Sequence, residues 1–195
     1  MIVFAPGVSF NKERHEYYFQ GVKLSGVTCK VGPKAGYGHM SEDFKNFLSE
    51  AAGEGNHVHE SVEEWIKSGM KKWDTIHPAA IWVRDKLIEL GNMQIQSETL
   101  VSDFRTYASA IDILTVVPKK KNTIDIYDIK RKFNRDYVEW QLSIYKYLVE
   151  TYSVYKVRKL CAFATKDRRF FDDLKYKGTE KVEELLYGKK EARRV

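Results

Sequence analysis

The chain has 195 residues and a mass of 22.8 kDa, with 43% hydrophobic and 31% charged residues. That supports one compact core, excludes a disordered or fibrous chain, and leaves little room for a second domain. The net charge of +6 and a pI near 9.1 tilt the partners toward polyanions, a tilt that many soluble enzymes share. Two cysteines, Cys29 and Cys161, exclude a four-cysteine zinc or iron–sulfur site within one chain and a disulfide framework; they point to a reducing compartment.

No apolar run approaches the ~18 uncharged residues of a membrane span. Met1 to Pro6 has no basic segment ahead of an apolar core, so no secretory signal is expected and cytoplasm is the default. Residues 1–38 form an N-terminal region in which 15–31 reads as a hairpin around Gln20-Gly21. Ser41 and Glu42 start a helix with Phe44, Phe47 and Leu48 on one face. A second helix follows Gly55, turns Val58, Val62, Trp65 and Ile66 inward, and ends near Gly69. A third runs from His77-Pro78 to Gly91. Residues 93–101, 105–117 and 122–130 are strand candidates, with a turn at 118–122 between the last two. A helix over 137–152, a strand over 155–165, a helix over 179–188 and a basic tail at 189–194 complete the chain. The order α-β-β-β-α-β predicts an α/β fold, a mixed central sheet flanked by helices with an N-terminal β-hairpin.

The segment 111–130 carries the most chemistry. Asp112 interrupts an apolar strand, and Asp128 and Lys130 lie two apart on the next, hence on one face. A turn near residue 120 sets Asp112 opposite residues 128 to 130. Two close carboxylates repel and are costly to bury, so they need positive charge: Lys130 supplies some, and a divalent cation would supply the rest. Oxygen ligands without thiolates favour Mg²⁺ or Mn²⁺ over zinc. The same acidic-x-Lys spacing also occurs at Asp43/Lys45 and Asp173/Lys175. On pattern alone, a structural ion pair and a metal site stand level.

Other residues could join this group. His59 and Glu63 share a helix face; the simplest reading is a packed histidine bonded to Glu63, and a metal or phosphate contact is the alternative. Gln141 and Tyr145 form another i,i+4 pair, able to hydrogen-bond a carboxylate, a phosphate or a base edge. Glu98 is a candidate ligand on the strand before Asp112, or an exposed strand residue. Lys119, Lys120 and Lys121 in the turn, and Arg168 and Arg169 beside Phe170 and Phe171, could contact phosphates and bases, or be a solvated surface. Cys161 reads as core. Walker, Rossmann and Gly-x-Ser-x-Gly patterns are absent from the sequence.

Together these residues resemble the PD-(D/E)XK nuclease superfamily, in its RecB-like and phage-exonuclease branch. The resemblance covers roughly 55–165 and rests on Gly55/His59/Glu63, Glu98, Asp112, Asp128-Ile129-Lys130 and Gln141/Tyr145, in that order. His15, Tyr17, Val27 and Thr28 also resemble the leader of phage members. Ala110, with Ser109 ahead of it, stands where the branch usually has Gly, and two cysteines are too few for its cluster-bearing members. The resemblance implies a single nuclease domain with a restriction-endonuclease-like core over 55–165, followed by a C-terminal helix and basic tail over 166–195. It implies one or two Mg²⁺ or Mn²⁺ ions held by Asp112, Asp128 and the Ile129 carbonyl, with His59 or Glu98 completing the shell and no iron–sulfur cluster. Lys130 would orient water or stabilise developing charge, and Gln141 and Tyr145 would steady Lys130 or touch the substrate. The implied activity is metal-dependent DNA hydrolysis, of the exonuclease type found in phage or prophage recombination and repair. The implied partner is DNA, as single strands or duplex ends, with a homo-oligomer or recombination protein beside it, in the host cytoplasm if phage-encoded and without a membrane. A non-catalytic nucleic-acid-binding protein on the same fold, a structure-specific endonuclease, or an enzyme of other metal chemistry are the competing readings.

Overall fold

A computed structural model describes residues 2–34, 57–70, 77–91 and 94–188. The expected helix from Ser41, the residue Gly55, and the tail at 189–194 lie outside the described residues. The N-terminal region folds as a three-stranded meander: β1 (Val8–Asn11), β2 (Glu16–Phe19) and β3 (Val22–Gly26). β2 and β3 pair antiparallel, closing at Phe19↔Val22. Gln20 and Gly21 both take positive φ, 49° and 79°, the pairing that a tight two-residue hairpin turn requires. The hairpin expected over 15–31 ends earlier, because the chain turns at Thr28 into helix α1 (Thr28–Lys34). Val27 and Val31, four apart, are both buried there, a helical spacing that overrides the β-branched composition.

Helix α2 covers residues 57–67 and buries Val58, Val62 and Trp65, as their spacing predicts. Helix α3 (Pro78–Glu89) is capped by the His77 side chain, which accepts from the Ala79 N–H, and it buries Ala80, Val83 and Leu87. Strands β4 (Ile95–Ser102), β5 (Tyr107–Val116) and β6 (Thr123–Lys130) follow. Helix α4 (Arg135–Tyr152) starts two residues before its expected position because Asn134 caps it, accepting from the Tyr137 N–H. Strand β7 (Lys156–Ala164), strand β8 (Arg169–Phe171) and helix α5 (Thr179–Tyr187) end the described chain. β8 is not among the expected elements: three residues, one of them charged, carry no readable period.

The result is an α/β fold with one mixed sheet of eight strands, ordered β1-β2-β3-β5-β6-β7-β8, with β4 on the second side of β5. α4 and α5 pack on one face, over Leu114, Ile126 and Ala162. α2 and α3 pack on the other, over Ile113, Tyr127 and Phe163. Cys161 lies in this second layer. Among the described residues, no helix is long and apolar enough to cross a membrane.

The pairing of β5 positions everything that follows. β4 runs along its whole length, from Ile95↔Thr115 to Ser102↔Ala108. The opposite side is shared: β6 pairs Ile113 to Val116, and β3 pairs only Tyr107 and Ala108. Among the described residues, no strand covers 109–112 on that side. The sheet forks there, and the fork opens a cleft.

Candidate active site

The cleft has a volume of about 310 Å³. β5 lines it with Ser109, Ala110 and Asp112, β6 with Lys130, α4 with Gln141 and Tyr145, and α2 with His59. Glu98 and the β1–β2 hairpin close the remaining sides. Sequence separation is large, but the fork brings these groups to one place.

The β5–β6 ladder stops at Ile113↔Tyr127, so the next positions, Asp112 and Asp128, face each other across a widening gap. The Ile129 N–H, beyond the end of the β5–β6 ladder, donates to Asp112 Oδ2 at 2.7 Å. His59 fills the other side of the gap. Its Nε2 lies 3.0 Å from the Ile129 carbonyl oxygen, and its Nδ1 lies 3.6 Å from Asp112 Oδ2. The simplest reading of His59, a bond to Glu63, is therefore replaced: Glu63 pairs with Lys12 and Lys67 instead.

Glu98 sits in β4 opposite Asp112, between the pairs Ser97↔Ile113 and Thr99↔Ile111. Its φ of +48° is a left-handed conformation inside a strand whose register does not shift. Such backbone costs about 1–2 kcal/mol for a residue with a Cβ. It is half-buried rather than an exposed strand residue. His59, Glu98 and Asp112 each offer a ligand atom within 4.8 Å of the others. Burial raises the Glu98 carboxyl from 4.5 to about 8, and the charges of Asp112 and Glu63 add to the rise.

Asp128 is fully buried, with Oδ1 2.7 Å from Lys130 Nζ. Its Oδ2 is buried with no hydrogen-bond partner. Burial raises its carboxyl, against the pull of the Lys130 ammonium. Burial works against that ammonium too, but Asp128 and Asp112 outweigh it and hold the lysine protonated. Asp128 thus stands beside the His59–Glu98–Asp112 group, outside its 4.8 Å circle. The Ile129 carbonyl is already engaged by His59 and, at 3.5 Å, by Lys130 Nζ.

Gln141 and Tyr145 bond to each other: Gln141 Nε2 donates to Tyr145 Oη at 2.7 Å. Tyr145 Oη lies 3.1 Å from Ser109 Oγ, and its hydroxyl is held protonated by burial and by Asp112 and Asp128. Ser109 and Tyr17 of the hairpin line the same cleft. Ser109 carries a structural role that spacing could not reveal, because it arises from contact between distant elements. Gln141 Oε1 is also buried and unpaired.

The proposed phosphate-contacting residues divide. Lys119, Lys120 and Lys121 lie at the far end of the β5–β6 hairpin, roughly 20 Å along the strand from Asp112. Arg169 shares a row with Ala164 and Lys130 across β8, β7 and β6, so it stands on the Lys130 face roughly 10 Å away. Arg168 is in the turn before it. Phe170 and Phe171 have spent their faces: Phe170 stacks on Tyr127, and Phe171 lies 3.9 Å from Phe133 at 7°.

Two carboxylates and an imidazole converging beside an unpaired buried carboxylate oxygen are a donor set suited to a hard divalent cation. An adjacent protonated lysine adds a site for an anionic oxygen. No family model, curated protein or solved structure matches this chain.

Proposed function

We propose that the chain is a metal-dependent DNA nuclease on a restriction-endonuclease-like core, of the PD-(D/E)XK superfamily and its RecB-like, phage-exonuclease branch. The carrying observation is the fork at residues 109–112, where His59, Glu98 and Asp112 meet beside Asp128 and Lys130. A structural ion pair accounts for Asp128 Oδ1 and Lys130. It leaves unexplained why two more acidic groups, one on strained backbone, crowd the same spot.

His59, Glu98 and Asp112 would hold Mg²⁺ or Mn²⁺, with Asp128 Oδ2 the acceptor in reserve. Such an ion supplies an acidified water and offsets phosphate charge. Lys130, kept charged by Asp128, offers a fixed cation to the phosphodiester or to the charge that develops on it. Asp112 ties the two strands of the fork together by holding the Ile129 N–H. Gln141, Tyr145 and Ser109 form the wall behind these groups and fix the distance between α4 and β5.

The test is hydrolysis of end-labelled linear and circular DNA, single- and double-stranded, with Mn²⁺, Mg²⁺ or EDTA. Wild type is expected to degrade linear DNA only with metal. Asp112→Asn and Asp128→Asn should each lose about a hundredfold or more while keeping the native circular dichroism spectrum. Wild-type cleavage rates in both variants would refute the reading, and cutting of circular DNA would replace exonuclease by endonuclease.

A further inference from the structure

We infer that the β1–β2 hairpin gives the cleft a stacking wall for one unpaired nucleobase, so that the site takes single-stranded nucleic acid rather than a paired end. This rests on the nuclease reading and specifies its substrate. Three rings of the hairpin, Phe10, His15 and Tyr17, line the same cleft as Asp112 and Lys130. Phe10 and Tyr17 lie parallel at 4.7 Å and 21°, and His15 stands edge-on to both, at 5.2 and 5.9 Å.

The three rings have different tasks. Tyr17 is 3% exposed and packs with Leu24 and Ala108, so it anchors the hairpin. Phe10 is half-buried and His15 is exposed. His15 has a φ of +52° at the last position of the turn, where Asn or Gly would be easier. Lys12 of the same turn reaches across to α2, 3.1 Å from Glu63 and 3.9 Å from Glu60, and holds the wall against the cleft. Phe133 and Phe171, near Lys130 among the described residues, are already engaged: Phe171 lies against Phe133 and the Arg169 guanidinium.

A ligand for this cleft therefore needs an anion at one end and a flat π surface at the other. A nucleotide has both. A volume of about 310 Å³ is at the small end of ligand pockets. A base inside a duplex is stacked and paired and cannot reach such a wall, whereas successive bases of a single strand offer a free face whatever their sequence.

The test separates stacking from chemistry. Binding of fluorescein-labelled oligothymidylate is measured by anisotropy in EDTA, against the same strand with tetrahydrofuran abasic sites and the same strand paired with its complement. Wild type is expected to prefer the intact strand over the abasic one by about tenfold, and over the duplex as well. Phe10→Leu, which keeps apolar packing, and His15→Ala should bring the intact-to-abasic ratio close to one, and Phe10→Trp should restore it. With Mn²⁺, the loss on intact single strands should fall on KM. An unchanged ratio in both variants, or duplex bound as tightly as single strand, overturns the inference. Discrimination in EDTA with no cleavage under Mn²⁺ would uphold the stacking wall and refute the nuclease reading.

Discussion

Replacing Glu98 by Gln should stabilise the metal-free protein, and the gain should grow with pH. The Glu98 carboxyl titrates near 8 in the fold against an ordinary 4.5. Between those values the native state holds a proton that the unfolded chain has released. Stability of the wild type, measured in EDTA, therefore falls as pH rises from about 4.5 to 8. At about 1.36 kcal/mol per pH unit, the full displacement sets a ceiling near 5 kcal/mol. At pH 7 the ceiling is about 3 kcal/mol, and partial solvent access reduces this to about 1–2 kcal/mol. A carboxamide has no such proton to bind, so Glu98→Gln should gain about 1–2 kcal/mol at pH 7 and well under 1 kcal/mol at pH 5. Urea denaturation of both proteins at pH 5, 7 and 8.5 reads the difference. Manganese should reverse the order: at a hundred times its dissociation constant it adds about 2.7 kcal/mol to a protein that binds it, and Glu98→Gln should lose most of that. A variant no more stable than wild type at pH 8.5 would mean that Glu98 is solvated and does not feel Asp112.

Two further substitutions probe the ion pairs of β6. Lys130→Met strands the fully buried Asp128 without its cation and should cost about 3–5 kcal/mol by urea denaturation, most of it recovered by adding Asp128→Asn. An additive pair would show that the two side chains do not depend on each other. At the other end of the strand, Asp125 accepts from Arg158 Nε and Nη2 and from the Lys159 N–H at the bulge between β6 and β7. Asp125→Ala should cost about 2–3 kcal/mol without affecting Mn²⁺ affinity, because the residue lies outside the cleft.

Much of this was legible in the sequence because it depends on local periodicity. Val58, Val62 and Trp65 on α2 and the β-branched runs of β5 and β6 announce both element and buried face. The turn at 118–122 then fixes the register that sets Asp112 opposite Asp128. What stayed hidden depends on contacts between distant segments. Nothing in the string 93–101 says that Glu98 will take a left-handed backbone. Nothing near Ser109 says that it will meet the Tyr145 hydroxyl. The string of β8 reads as a charged surface patch, and only pairing with β7 makes Phe170 and Phe171 part of the packing.

The unsatisfied groups argue for function more strongly than the satisfied ones. Elsewhere the buried carboxylates are well supplied: Asp103 accepts three backbone N–H groups and the Tyr187 hydroxyl, and Glu139 takes Lys177 and the Lys175 N–H. Such accounting is what folding alone selects, since an orphaned buried acceptor costs about 1–3 kcal/mol. Around the fork that accounting lapses. Asp128 Oδ2 and Gln141 Oε1 lack donors, Glu98 is forced toward Asp112 on strained backbone, and the strands themselves separate. Folding alone does not reward such an arrangement, which is why we propose that a bound ion completes it. On the proposed reading, two carboxylates with an imidazole would take a cation in that role, and the aromatic hairpin across the cleft would take the base of the strand it acts on.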